Sequence, residues 1–389
     1  MADHLLVSFI GKATKSKEEG TGYQKITYRF EDGSTYESSF FTVAIHRYLK
    51  EKQNIKPDLL IVGTNGSTWG ELFQLSESER VFEIARSLEE GFDHEKLKLL
   101  EEILSEELGV RVRLLSVEDK PPRVFEIAKE TFNILSTANY KEVFLDITHA
   151  YRYMPYSVLS AFVIYKSLRN FKLRIFYGFL EHGRREDPKP VYELTDISHL
   201  LDISNAVSLI TSTGDFRAYY DKLGAGDIAQ KAYYKIETNQ QPRAELKELM
   251  EFKPPDQYDT LHKEINRLIS ELNKDYLDER MVSRAKFFAD RGQYLKAIVL
   301  LYEAFMVLAC RKQNRQDCNK YKTREEIRDQ LRNNEKFEFL SHLRNVIVHG
   351  SQPEGKYGGK IQRILGSEEE LKKVFDEYIS YYNQLRKEL

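Results

Sequence analysis

The sequence predicts two architectures in succession: a doubly wound α/β domain built on a mainly parallel sheet, then an all-α half. Short apolar runs alternate with longer helix-patterned stretches as far as about residue 195, which is the rhythm of repeated βα units. Beyond that point strand patterns vanish, and helical patterns follow one another to the C-terminus. With 389 residues the chain has room for two or three domains, each with its own core. The expected boundaries are 1–195 for the α/β domain, 196–275 for a helical connector and 276–389 for a second, helical domain.

Residues 4–10, HLLVSFI, form a buried first strand that ends at Gly11. YQKITYRF and STYESSFF alternate with period two around Glu31-Asp32-Gly33-Ser34, where Asp-Gly marks a hairpin turn. Residues 41–52 are helical, and DLLIVG after Pro57 is the next buried strand. A charged, helix-patterned stretch from Glu71 to Leu108 breaks near Gly91. Strands at 110–115, 142–147 and 172–180 then alternate with helices at 122–137 and from about Arg152.

In the second half, KPPDQYD near residue 253 is the main punctuation. Two helices meet at Gly292, the second with a broad apolar face from Ala297 to Leu308. FLSHLRNVIVHGS, 339–351, reads as a helix with Leu340, Leu343 and Ile347 facing the core and Gly350 just past its end. Residues 368–389 form the last helix.

Acidic and basic residues nearly balance, for a formal net charge of −2. No global basic field therefore advertises nucleic-acid binding, and any RNA site must be a local cleft. Cys310 and Cys318 have no metal-ligand companions and no secretory framework, so they read as reduced thiols, and no metal site is expected. Neither a signal peptide nor a bilayer-length apolar run is evident, which places the protein in the cytoplasm with no membrane partner.

In a doubly wound sheet, ligands bind outside the C-terminal ends of the strands. Three polar loops leave strands on that edge: Gly11, Lys12 and Thr14; the run containing Thr64, Asn65, Gly66, Ser67 and Trp69; and Asp146, Thr148, His149 and Arg152. Small and hydroxyl residues admit a phosphate closely, Trp69 offers a face to a base, and His149 and Arg152 are phosphate donors. Taken singly, each has a duller explanation as a turn, cap or core residue; together they suggest a crevice for a nucleotide. There is no G-x-G-x-x-G and no Walker lysine, so a dinucleotide or NTP site is not expected.

The sharpest chemical signal is Arg344, with Asn345 beside it and His349 five residues on. A guanidinium fits a phosphate, an imidazole moves a proton near neutrality, and the amide can orient either. This is the equipment for metal-free RNA cleavage by a ribose 2′-OH, although the bland alternative is a helix end merely solvated by an arginine and a histidine. On an ideal helix the two side chains sit roughly 7.5 Å apart along the axis and about 140° apart around it. A single copy therefore does not converge on one point, and two copies would have to face each other.

DITH, Asp146–His149, resembles the D-x-T-H-G motif of CRISPR-associated proteins with a CARF domain, a Rossmann-like module that binds cyclic oligoadenylates; Ala150 stands in place of the final glycine. GTNGSTW is similar to the G-T-x-x-S-x-W loop of that group, and SFIG followed by ITYRF is similar to its N-terminal pattern. Arg344, Asn345 and His349 resemble the R-x-x-x-x-H hallmark of HEPN domains. The resemblance implies a Rossmann-like CARF domain followed by an all-α HEPN domain, in a homodimeric type III CRISPR ribonuclease activated by cyclic oligoadenylate, with cyclic tetraadenylate expected and the hexamer as competitor. It implies Arg344, Asn345 and His349 as catalytic residues and the three loops as the activator site. Two alternatives stand beside it: a sensor whose helical half only dimerises or holds RNA, and a first domain that cuts its own cyclic ligand through Thr64, Ser67 or Lys12.

Overall fold

Eight strands, β1 (His4–Phe9), β2 (Ile26–Arg29), β3 (Thr35–Ser38), β4 (Asp58–Thr64), β5 (Val112–Val117), β6 (Glu142–Asp146), β7 (Lys172–Gly178) and β8 (Lys189–Glu193), form one sheet. Its order is β3-β2-β8-β7-β6-β1-β4-β5. The computed structural model describes residues 3–12, 25–118, 120–149, 151–184, 186–238, 240–318 and 320–388. The chain divides into two units, 1–202 and 203–389.

β7, β6, β1, β4 and β5 run parallel. Strand periodicity sends successive side chains to opposite faces: Leu6, Leu59, Ile61 and Phe144 pack into one apolar layer, whereas Leu5, Val7, Leu60, Val62, Val143 and Leu145 pack into the other. The first layer is covered by α1 (Phe41–Lys52), α2 (Glu79–Glu90) and α3 (His94–Leu108). The second is covered by α4 (Val124–Thr137) and α5 (Tyr153–Lys166). Continuous apolar strands are what a sheet buried on both faces requires.

The β2–β3 hairpin turns at Gly33, whose φ of 82° suits glycine, and Asp32 accepts the Ser34 amide at 2.9 Å. β8 is a strand that sequence periodicity does not announce. Pro190 lies within it, and proline lowers the strand signal. It is antiparallel to β7 and parallel to β2, so it joins the hairpin to the sheet.

α6 (Thr195–Thr213) contains the division between units. The second unit is helical: α7 (Arg217–Leu223), α8 (Gly226–Glu237), α9 (Arg243–Glu251), α10 (Asp259–Ser270), α11 (Leu277–Ala289), α12 (Tyr294–Lys312), α13 (Tyr321–Leu331), α14 (Glu335–His349), α15 (Gly358–Leu365) and α16 (Glu368–Arg386). One core runs through it, from Ile210 and Tyr219 through Leu246 and Ile269 to Leu301, Leu340 and Tyr382. Residues 203–275 thus share a core with the helices that follow.

The expectation of reduced cysteines is corrected: Cys310 and Cys318 form a disulfide. α12 ends at Lys312 and the chain doubles back through Asn314, whose φ is +56°. That reversal brings the two Cα atoms to 5.9 Å, within the usual disulfide span. No helix among the described residues is long and apolar enough to cross a membrane.

Candidate functional site

Because β6, β1 and β4 are parallel neighbours, the loops at their C-terminal ends share one edge of the sheet. Hydrogen bonds knit two of these loops together. Ser67 Oγ donates to the Ile10 carbonyl at 2.7 Å and accepts the Thr64 amide at 2.8 Å, while the Thr68 amide donates to the Gly11 carbonyl at 3.0 Å. Asn65 is tied to β5 through its amide, 3.1 Å from the Val117 carbonyl, and through its side chain, which accepts Ser116 Oγ at 2.8 Å. Gly63 leaves no room for a side chain, since a Cβ there would lie 2.6 Å from Ile10 and 2.8 Å from the Trp69 ring.

Trp69 is not available to stack on a base. Its side chain is 1% exposed and its indole N–H donates to the Thr64 carbonyl at 2.8 Å. The hydroxyls of Thr64 and Ser67 are buried in the same way. These residues shape the loop from beneath; Asn65, Gly66, Gly11 and Lys12 form its accessible surface. Thr14 lies outside the described residues.

Asp146, fully buried, ends β6. It accepts Ser8 Oγ at 2.5 Å and the Thr148 amide at 2.7 Å, and the Ser8 hydroxyl also bonds Thr42. Burial pushes its carboxyl up to about 6 despite those donors. Thr148 Oγ1 accepts the Gly178 amide at 2.9 Å, which ties the loop to β7. His149 lies 3.3 Å from the Tyr28 hydroxyl and beside the Phe40 ring. Burial pulls its imidazole down to about 4, so it is neutral at pH 7. A neutral imidazole can donate a hydrogen bond but carries no positive charge; among the described residues of these three loops, Lys12 and Arg152 are exposed cations.

In the second unit, α14 is capped at its start by Asn334, which accepts the Phe337 amide at 3.1 Å, and at its end by Gly350 with a φ of 60°. Leu340 and Leu343 anchor its inner side. Arg344 is half-buried, whereas Asn345 and His349 are exposed. Arg344 Nη1 donates to Asn345 Oδ1 at 2.8 Å, so the amide holds one arm of the guanidinium. The guanidinium also lies 5.4 Å from the centre of the Tyr302 ring on α12. An Arg/Asn pair fixed together can bind a phosphodiester, and the imidazole further along the same helix is a group that can move a proton; converging on one phosphate would take two copies of the helix.

Residues 5–181 match the family described as the CARF domain of the CRISPR system endoribonuclease Csx1. Over that range the first unit is similar to a CARF domain. The chain is also 24% identical over 385 residues to a CRISPR-associated protein of Methanocaldococcus jannaschii; the match covers 84% of this chain and spans 59% of the relative's length. Among solved structures, Enterococcus italicus Csm6 bound to cyclic hexa-2′-fluoro-hexa-dAMP aligns over 99% of both chains at 11% identity, with a TM-score of 0.35.

Within the first unit, the residues read from sequence separate into two groups. Thr64, Ser67, Trp69, Asp146 and Thr148 hold the loops in place from inside, and Gly11, Lys12, Asn65, Gly66 and Arg152 remain accessible. In the helical unit, sequence reasoning missed Tyr302, whose ring faces the Arg344 guanidinium, and Glu303, which follows Tyr302 in the chain and pairs with Arg324. A single acid within the apolar run VLLYEAFMVLAC was the signal for Glu303, since a charge inside a buried face needs a partner.

Proposed function

We propose that this protein is a cyclic oligoadenylate-activated RNA endonuclease of CRISPR defence, in which the CARF domain senses the activator and the helical unit acts as a HEPN ribonuclease. The observation that carries the reading is the Arg344–Asn345 pair, fixed by its own hydrogen bond, with an exposed His349 further along the same helix, in a chain whose first unit is similar to a CARF domain. Arg344 binds the scissile phosphate, and Asn345 fixes its orientation. His349 takes the proton of the 2′-OH as that oxygen attacks phosphorus; the P–O5′ bond breaks and the leaving oxygen is protonated. The products are a 2′,3′-cyclic phosphate and a 5′-OH, and no step calls on a metal ion.

The spacing of Arg344 and His349 calls for a homodimer in which two α14 helices face each other across an RNA strand. A symmetric ring suits such a two-fold assembly, each half meeting one subunit identically. Activation follows only if the ring binds the active arrangement better than the inactive one. At the CARF edge, Lys12, Arg152 and the Asn65–Gly66 backbone meet phosphates and riboses, with cyclic tetraadenylate as the expected ring. Cleavage of the ring itself through Thr64 or Ser67 is disfavoured by the burial of both hydroxyls.

The test is cleavage of a fluorescent single-stranded RNA in EDTA, with and without cyclic tri-, tetra- and hexaadenylate. Ring-dependent cleavage supports the reading. Intact RNA under every condition overturns it in favour of a sensor without nuclease chemistry.

A further inference from the structure

α11 carries two buried arginines that form no ion pair among the described residues. Arg284 is 1% exposed, and Arg280, one turn before it, is 9% exposed. Arginine is almost never buried this far unless it is paired. The acids of the neighbouring elements are engaged with other cations: Asp278 with Arg311 at 3.4 Å, Asp275 with Arg243 at 3.7 Å, and Glu245 with Lys235. Burial and the nearby Arg243 lower Arg280, with Asp278 and Asp275 in partial opposition. Burial and Arg280 pull Arg284 down to about 10, which leaves it charged at pH 7.

The donors of both arginines are directed to one place. Arg280 Nη1 donates to the carbonyls of Lys274 and Asp275 at 2.7 and 2.8 Å, and its Nε donates to Gln241 Oε1 at 3.0 Å. Arg284 Nη1 reaches the Gln240 carbonyl at 3.3 Å, whereas its Nε and Nη2 are buried with no hydrogen-bond partner among the described residues. Gln240 and Gln241 run directly into α9, whose cap residue, Pro242, supplies no side-chain acceptor. The first bond inside that helix joins the Leu246 amide to the Pro242 carbonyl at 2.8 Å, and the amides ahead of it have no carbonyl partner within the helix.

A helix N-terminus beside forked, charged donors is suited to a phosphate. Gln240, Gln241 and Arg243 are exposed and mark the side of entry. The long bond from Arg284 to a neutral carbonyl is one that a charged phosphate oxygen replaces with a shorter and stronger one.

We propose that Arg280 and Arg284, together with the first turn of α9, bind a phosphate group carried by a nucleotide or by an RNA strand. These helices take no part in the chemistry assigned to α14, so the site is tested whether or not the protein cleaves RNA.

The experiment titrates the full-length protein by calorimetry with inorganic phosphate, with AMP and with a 2′-O-methyl RNA that lacks the nucleophile for cleavage, each against chloride at equal ionic strength. Arg284→Met removes the charge and the fork at similar length; Arg284→Lys keeps the charge alone. At least one of the three probes should bind the wild-type protein, with affinity falling about 10- to 100-fold in Arg284→Met, the scale of hydrogen bonds to a charged group. The fall should be smaller in Arg284→Lys. A loss seen with RNA alone assigns the site to the RNA strand, and a loss seen with phosphate or AMP assigns it to a free nucleotide; either supports the proposal. NMR of arginine-labelled wild-type protein follows the Arg284 Nε–H, which should shift with the binding probe and hold in chloride. That measurement decides the matter even if Arg284→Met does not fold. A resonance unmoved by all three probes overturns the proposal, as does wild-type affinity in a folded Arg284→Met.

Discussion

Trp69 donates its indole N–H to the carbonyl of Thr64 from beneath the loop they share, with 2.8 Å between the atoms. The largest aromatic side chain of the crevice is thus a strut for the backbone of Asn65 and Gly66. Trp69→Phe keeps most of the apolar contact and removes one of two donors to the Thr64 carbonyl, which still accepts the Ser67 amide at 3.0 Å, a loss of about 0.5–1.5 kcal/mol. Trp69→Ala should cost about 3–5 kcal/mol. Urea unfolding checks both. Cyclic tetraadenylate should bind the Phe variant more weakly, because the loop that meets it is no longer held.

Asp146 makes stability depend on pH in a defined direction. Its native carboxyl titrates at about 6, against about 4 in an unfolded chain. A raised native value means stabilisation that is complete below about pH 4 and lost as pH rises through about 6. Asp146→Asn removes this dependence, so wild type should gain on the variant by about 3 kcal/mol between pH 8 and pH 4. His149, pulled down to about 4, works in the opposite sense, losing stabilisation as pH falls. It is present in both proteins and cancels in the difference. Denaturation at several pH values reads the result; a difference independent of pH would show that Asp146 is not the titrating group.

Replacing His349 with alanine should abolish RNA cleavage, with residual activity at least a hundredfold below wild type on the scale of a lost general acid–base group. The side chain is exposed, so the melting temperature should hardly move. Calorimetry should find the affinity for cyclic tetraadenylate unchanged.

The disulfide closes a short loop between α12 and α13. Cys310→Ala combined with Cys318→Ala should cost ~2–3 kcal/mol by release of that loop. Chemical reduction of the wild-type protein should reproduce that loss.

The α/β half was readable because burial on both faces writes itself into sequence: runs such as LLIVG have no polar position at which a solvent face could lie. α14 was readable for the converse reason, an apolar stripe with a stop signal at its end. β8 was not, because one of its two sheet neighbours, β2, lies far away in sequence and Pro190 masks its pattern. Trp69 shows the limit at the crevice: a motif places it in the right loop, but only packing decides whether its ring faces the core or the ligand. The cysteine pair failed for a related reason, since spacing alone does not reveal that the chain reverses after α12.

The pairing of Tyr28 with Lys189 sets a temporal order on synthesis of the protein. The hairpin made near the beginning of translation has no place in the sheet until β8 leaves the ribosome, after all seven other strands have been made. Such distant partners make the last closure slow, so the nascent chain carries an unfinished sheet margin throughout elongation, with α1 as its nearest cover.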